Sequence, residues 1–206
     1  PEIIDTIGDG FTIAGFGYKK AWLQKDANIN KTPTPVFAGS GCALYIRREV
    51  IQKIGLFDED FFAFGEDLDF SFRAQLAGFQ VMSVPEARIL HSVRATAAGD
   101  QTLFWYHRNL VWLWMKNFPW QLLILYTPHL VLHMGLVFIR SVFRGWPLLY
   151  CRSIFAGLAG ARRMLPKRKV IQDNRKIRIS ELRSRLDADW IAVHFALHKA
   201  RKAHDK

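Results

Sequence analysis

Between Lys116 and Arg140 the chain runs from Asn117 to Ile139, 23 residues, without a single Asp, Glu, Lys or Arg. A helix that crosses a bilayer needs about 20 predominantly apolar residues, so this run is long enough to span one. Trp112, Trp114 and Trp120 stand near one end, where an aromatic belt would sit. Pro119, Gln121, Pro128, His129 and His133 argue against a span. Tyr126, His129, His133, Arg140 and Arg144 recur at three-, four- or seven-residue steps, which places a polar stripe on one helix face. Such a stripe suits a helix lying in the membrane interface or one packed against a partner helix. Leu148–Leu158 is a second apolar stretch, broken by Arg152. The expectation is a monotopic hydrophobic hairpin rather than a true span. His129 and His133 have metal-ligand spacing, but the intervening residues lack the Glu of a zinc protease motif and no third ligand is evident, so they are read as part of the stripe.

Charge divides at the same place. Residues 1–100 carry 10 Lys and Arg against 13 Asp and Glu, a net of −3; residues 101–206 carry 19 against 5, a net of +14. The basic half is expected to meet a polyanion. Arg162, Arg163, Lys167, Arg168 and Lys169 follow directly after the apolar region, and Arg175, Lys176, Arg178, Arg183 and Arg185 continue the series. Near an anionic leaflet each such charge adds about 1 kcal/mol. No RNP, zinc-finger or helix-turn-helix pattern accompanies the tail, so an anionic membrane surface is favoured as partner and nucleic acid is not. Ser180–His198 reads as one amphipathic helix with Leu182, Leu186, Trp190, Val193 and Leu197 on its apolar face. Two cysteines, Cys42 and Cys151, make no disulfide framework and suit a reducing compartment. The chain opens at Pro1 without an initiator Met or a leader pattern, and further sequence upstream is expected.

The first hundred residues read differently. Gly8, Gly10, Gly15, Gly17, Pro33 and Pro35 punctuate short apolar stretches such as Phe11–Ala14. Gly39–Ile46 passes from small residues into an apolar strand. Arg47–Ile54 has helical spacing and stops at Gly55. Leu68, Phe72, Gln75 and Leu76 follow a helix period that ends at Gly78; Phe79–Val84 and Arg88–His91 are extended runs on either side of Pro85. Strands alternating with helices make this part α/β. The chain divides into residues 1–100, 101–165 and 166–206.

Glu66, Asp67 and Asp69 fall within four residues, flanked by Phe61, Phe62, Phe64, Phe70 and Phe72. At a helix start, acids gain roughly 0.3–1 kcal/mol each from the helix dipole, which explains them without chemistry. Held against apolar walls, a carboxylate instead has its pKa raised and becomes a stronger general base. His91, alone after Pro85, is by itself an ordinary structural histidine. The ordered set Gly39-Ser-Gly-Cys-Ala-Leu-Tyr-Ile-Arg-Arg48, Gly55-Leu-Phe-Asp-Glu-Asp-Phe-Phe62, Gly65-Glu-Asp-Leu-Asp-Phe-Ser-Phe-Arg73, Gly78, Pro85, His91 and Arg108-Asn109 resembles family 2 glycosyltransferases, and among them the rhamnosyltransferase-like members.

The resemblance implies the C-terminal half of a GT-A, Rossmann-like domain, followed by hydrophobic and basic helices. Residues 1–100 would then be its acceptor side, with the nucleotide-binding half and its Asp-x-Asp motif absent. Asp58-Glu-Asp60 and Asp67-Leu-Asp69 have that spelling but stand after Gly39–Arg48 rather than before it. It further implies an inverting transfer from a nucleotide sugar, dTDP-rhamnose, to a lipid-linked or cell-envelope glycan at the cytoplasmic face of the plasma membrane. Asp67 would be the base, Glu66 the second acid of the pair, and His91 a contact to Mg2+ or Mn2+. Gly39, Ser40 and Gly41 would let backbone approach the sugar or diphosphate closely. Arg47 and Arg48 are candidates to face the diphosphate. Residues 1–206 alone are expected to be inactive. Two other readings compete: a non-catalytic membrane anchor or scaffold, and a basic nucleic-acid-binding protein.

Overall fold

Phe11, Phe37, Phe72 and Phe118 come from four separate segments, and their rings meet at centroid distances of 5.1 to 5.9 Å. All four are essentially inaccessible to solvent. Each such side chain contributes roughly 1.5–3 kcal/mol by leaving water. The computed structural model describes residues 2–26, 31–91 and 99–204, and these rings lie at its centre.

Two small antiparallel sheets carry the first part. Strands β1 (Asp9–Phe11) and β2 (Gly17–Lys19) form a hairpin in which Gly10 faces Tyr18. A Cβ at Gly10 would lie 2.4 Å from the Tyr18 ring, so only glycine lets that ring fold over the strand. On its other edge β1 bonds Ala38, the Asp9 amide donating to the Ala38 carbonyl at 2.7 Å. Strands β3 (Thr34–Val36) and β4 (Val81–Ser83) make the second sheet, pairing Val36 with Val81.

Helix α1 (Arg48–Ile54) ends at Gly55, whose φ of +77° suits glycine. Helix α2 (Glu66–Leu76) is the central element, buried from Leu68 to Leu76. Leu68, Phe72 and Leu76 turn to the main core, while Phe70 and Ala74 pack on Val50 of α1. Between these two apolar faces Asp69, fully buried, accepts from Arg73 (2.8 Å), Lys116 (2.9 Å) and Asn117 (2.8 Å). Lys116 also bonds Asp58 at 2.6 Å, and Lys167 bonds Asp60 at 2.7 Å. Burial in this network would be costly for any one of these charges without its partners.

Helices then dominate: α3 (Asp100–Asn117), α4 (Trp120–Phe143), α5 (Pro147–Ala159), α6 (Ala161–Asp173), α7 (Ile179–Ser184) and α8 (Trp190–His204). Gly157 lets α5 close on α3, since a Cβ there would lie 2.8 Å from Val111, and the Trp112 indole donates to its carbonyl at 2.8 Å. One core draws on residues from Phe11 to Trp190, and so on all three segments of the sequence.

Several local expectations are corrected. Gly39–Ile46 is a turn, closed by Ala43 donating to Ser40 at 3.0 Å, with Leu44 and Ile46 laid against the α1 cluster. Arg88–His91 forms no strand. Trp112 and Trp114 are not a membrane belt: both are 5% exposed inside the core. The C-terminal amphipathic segment is broken between α7 and α8, because Asp187 lends its backbone to the β1 hairpin, donating to Phe11 at 2.9 Å and accepting from Ile13 at 3.0 Å. Part of the basic cluster is spent internally, Lys167 on Asp58 and Asp60 and Arg168 on the Met115 and Phe118 carbonyls.

The polar stripe of α4 faces inward from Tyr126 to Arg140, while Arg144 at the helix end is exposed. Tyr126, His133 and Ser141 are buried, with His133 stacked on Phe16 at 4.2 Å and His129 accepting from the Trp190 indole at 3.2 Å. The opposite face leaves Ile124, Val131, Leu132, Ile139, Val142 and Phe143 exposed, the reverse of a water-facing helix. By length and composition α4 is the one helix among the described residues able to cross a membrane.

Candidate active site

The loop before α2 holds an unusual backbone. Phe62, Phe64 and Gly65 all have positive φ, at 60°, 65° and 94°, a region costly for the two phenylalanines. Asn109 of α3 holds it there, its amide donating to the carbonyls of Phe61 (2.9 Å), Ala63 (2.8 Å) and Phe64 (2.7 Å), while Arg108 bonds Asp60 and Phe61. This clamp aims the first turn of α2.

At that turn Asp67 accepts from the Gly41 amide at 2.9 Å through one oxygen and from the Leu68 amide at 2.8 Å through the other. The structure therefore joins Gly39–Ser40–Gly41 to Asp67, two segments 26 residues apart. The Gly39 amide is held by the Ser71 hydroxyl at 3.3 Å, and the Ser40 hydroxyl lies 3.3 Å from the Cys42 sulfur. Glu66 is half-buried, and its Oε2 is a buried atom without a hydrogen-bond partner. Burial pushes its pKa up, its own amide opposes the shift, and the charge of Asp67 adds to it. Asp69 belongs to the buried ion network and faces no cleft.

The carboxylate that sequence reasoning missed is Asp9. Burial, and then the nearby charge of Asp67, raise its pKa from 3.8 to about 7, against a hydrogen bond from Thr6 at 3.1 Å. Beside it Asp5 accepts from Lys19 (2.6 and 2.8 Å) and meets His91 Nδ1 at 2.9 Å. Burial would raise Asp5, but the Lys19 and His91 hydrogen bonds outweigh it and hold the group below its ordinary range. Asp5 and Asp9 lie in a turn-rich stretch without periodicity, so only their spacing among Thr6, Gly8 and Gly10 hints at them.

His91 is thus tied to Asp5 rather than to the Glu66–Asp67 turn. Among the described residues no three His, Cys, Asp or Glu side chains converge to hold a metal ion. His91 and Asp5 could supply one imidazole and one carboxylate to Mg2+ or Mn2+, whose remaining positions are ordinarily filled by waters and substrate phosphates. Arg47 and Arg48 are exposed at the start of α1, where Arg47 pairs with Glu49 at 3.0 Å.

Mixed helix with two small sheets is consistent with part of a GT-A glycosyltransferase domain followed by a helical region. The chain belongs to glycosyl transferase family group 2, which it matches over residues 12–165. It is 32% identical over 98 residues to the O-antigen biosynthesis protein RfbC of Myxococcus xanthus, covering 45% of this chain and 7% of that protein. It is 34% identical over 76 residues to an N-acetylglucosaminyl-diphospho-decaprenol L-rhamnosyltransferase of Mycobacterium tuberculosis, covering 37% of this chain and 25% of that one. The chain thus spans a quarter or less of the length of these relatives. No solved structure matches it.

Proposed function

We propose that the chain forms the acceptor side of an inverting glycosyltransferase that moves a sugar, rhamnose, from a nucleotide-sugar donor to a lipid-linked cell-envelope glycan. The observation that carries this reading is the turn that holds the Asp67 carboxylate on the Gly41 and Leu68 amides, near Asp9, whose pKa burial first and then the charge of Asp67 raise to about 7. In the transfer the acceptor oxygen attacks the anomeric carbon from the face opposite the nucleotide diphosphate. The new C–O bond forms as the bond to the leaving diphosphate breaks, through an oxocarbenium-like transition state. The hydroxyl proton passes to Asp67, which the Gly41 and Leu68 amides hold in place. Asp9, poised near neutrality, completes the acidic wall.

The outward apolar face of α4, continued by Leu148, Phe155 and Leu158 of α5, supports a monotopic seat on the cytoplasmic face of the plasma membrane. Two partners follow from this reading: dTDP-rhamnose as donor and an anionic membrane surface beneath.

The test compares the complete gene product with its Asp67→Asn variant, using labelled dTDP-rhamnose and a polyprenyl-linked acceptor. Removing a general base costs about 10²–10⁴ in kcat. The donor KM is expected to stay within about twofold, because Asp67 acts only as the hydroxyl loses its proton. Turnover that survives the substitution removes Asp67 from the role.

A further inference from the structure

Next to these carboxylates lies an open cleft of about 350 Å³, lined by the β1–β2 hairpin, the first half of α3, the inner face of α4, the α4–α5 turn and α8. That size falls among small-ligand clefts, roughly 300–1,000 Å³. On the side of the candidate active site, Lys19 of its wall bonds Asp5, and the charge of Asp9 acts on the Tyr106 hydroxyl in its lining. The other end lies at the α4–α5 turn. Arg140 and Trp146 line it, while Ile139, Val142, Phe143 and Leu148, their neighbours in the chain, are exposed.

A transferase with a lipid-linked acceptor faces a geometric demand. The acceptor's sugar hydroxyl must sit at Asp67 while its hydrocarbon stays in the bilayer, so the diphosphate between them needs a passage. We propose that this cavity is that passage, binding the diphosphate and first isoprene units of a polyprenyl-diphosphate acceptor. The proposal rests on the transferase reading above. Lys19 and Arg140 supply positive charge, Lys19 sharing its own with Asp5. His107, 8% exposed and stacked on Trp146 at 5.7 Å, adds a donor that carries no charge at neutral pH, since burial, aided by Arg140, holds its pKa down at about 4. Val137 and Trp146 offer the isoprenoid an apolar wall, and charge-assisted hydrogen bonds from Lys19 and Arg140 would hold the diphosphate while the hydrocarbon follows it.

The experiment titrates farnesyl diphosphate into the chain in a mild non-ionic detergent, read by calorimetry, with inorganic pyrophosphate and farnesol as partial probes. Saturable binding is expected, at least tenfold tighter than either partial probe. Arg140→Gln should weaken farnesyl diphosphate at least fivefold and leave farnesol unchanged. Leu103→Trp, which fills the cavity from α3, should abolish binding of both, and circular dichroism verifies that each variant is folded. Farnesol binding as tightly as farnesyl diphosphate overturns the proposal, as does full binding by folded Leu103→Trp. Failure of the cavity is separable from failure of the enzyme. Absent farnesyl diphosphate binding in a gene product that transfers rhamnose to the polyprenyl-linked acceptor refutes the passage alone; cavity binding in a gene product inactive with every sugar donor supports the passage and refutes the transferase.

Discussion

Replacing Asp9 by Asn should stabilise the protein at alkaline pH and leave it unchanged in acid. The folded pKa of Asp9 stands at about 7 against an ordinary 3.8. Below about pH 4 the carboxyl is protonated in both folded and unfolded chains, so it costs nothing. Between about pH 4 and 7 the unfolded chain loses the proton first, so stability falls as pH rises, and above about 7 the full cost is present. A shift of about 3 units corresponds to a ceiling of about 4 kcal/mol. Relaxation and water entry lower such costs, so a gain of about 1–2 kcal/mol at pH 8 is expected for Asp9→Asn. For a chain of this length that is roughly 2–8 °C in Tm. Asn keeps the acceptor oxygen for Thr6, so the local hydrogen bond survives. Thermal unfolding followed by circular dichroism at pH 4, 6 and 8, in one detergent, measures it. An equal Tm difference at pH 4 and pH 8, or a loss at pH 8, would refute the burial of Asp9 beside a charged Asp67.

Three further outcomes are expected. Asn109→Ala strips the donor from three loop carbonyls and should cost about 3 kcal/mol, seen as a Tm drop of roughly 6–12 °C. Lys116→Ala leaves Asp58 and Asp69 without their shared cation inside the protein, and urea unfolding should show a loss of about 3–5 kcal/mol; a loss under 1 kcal/mol contradicts the network. Val142→Asp with Phe143→Asp changes exposed side chains only, so the fold should persist while flotation on vesicles containing phosphatidylglycerol falls at least tenfold; unchanged flotation removes the outer face of α4 from membrane contact.

The charge division of the sequence has two meanings in the structure. Lys116 and Lys167, from the basic half, neutralise Asp58, Asp60 and Asp69 of the acidic half, so part of the asymmetry is an internal clamp that ties α2 and the loop before it to α3 and α6. Arg162 and Arg163 stay exposed beside the apolar hairpin, which is where an anionic leaflet would meet them. The same clamp explains why Asp69, spelled like its neighbours Glu66 and Asp67, has a structural task. Two residues, about 200° around the helix, separate a carboxylate facing Gly41 from one facing Lys116.

Local patterns in the sequence determined much: α2 with its stop at Gly78, α1 with its stop at Gly55, and the apolar character of α4. These depend on spacing within a few residues, which periodicity and turn chemistry express directly. Tertiary structure alone decided which face of α4 turns inward, since a polar stripe is equally suited to headgroups or to partners such as Trp190 and Phe16. It alone broke the C-terminal helix, because the edge of β1 needed the backbone of Asp187. It also brought Asp9 to Asp67 across 58 positions, and a pKa set by burial beside another charge exists only once the chain has closed around both.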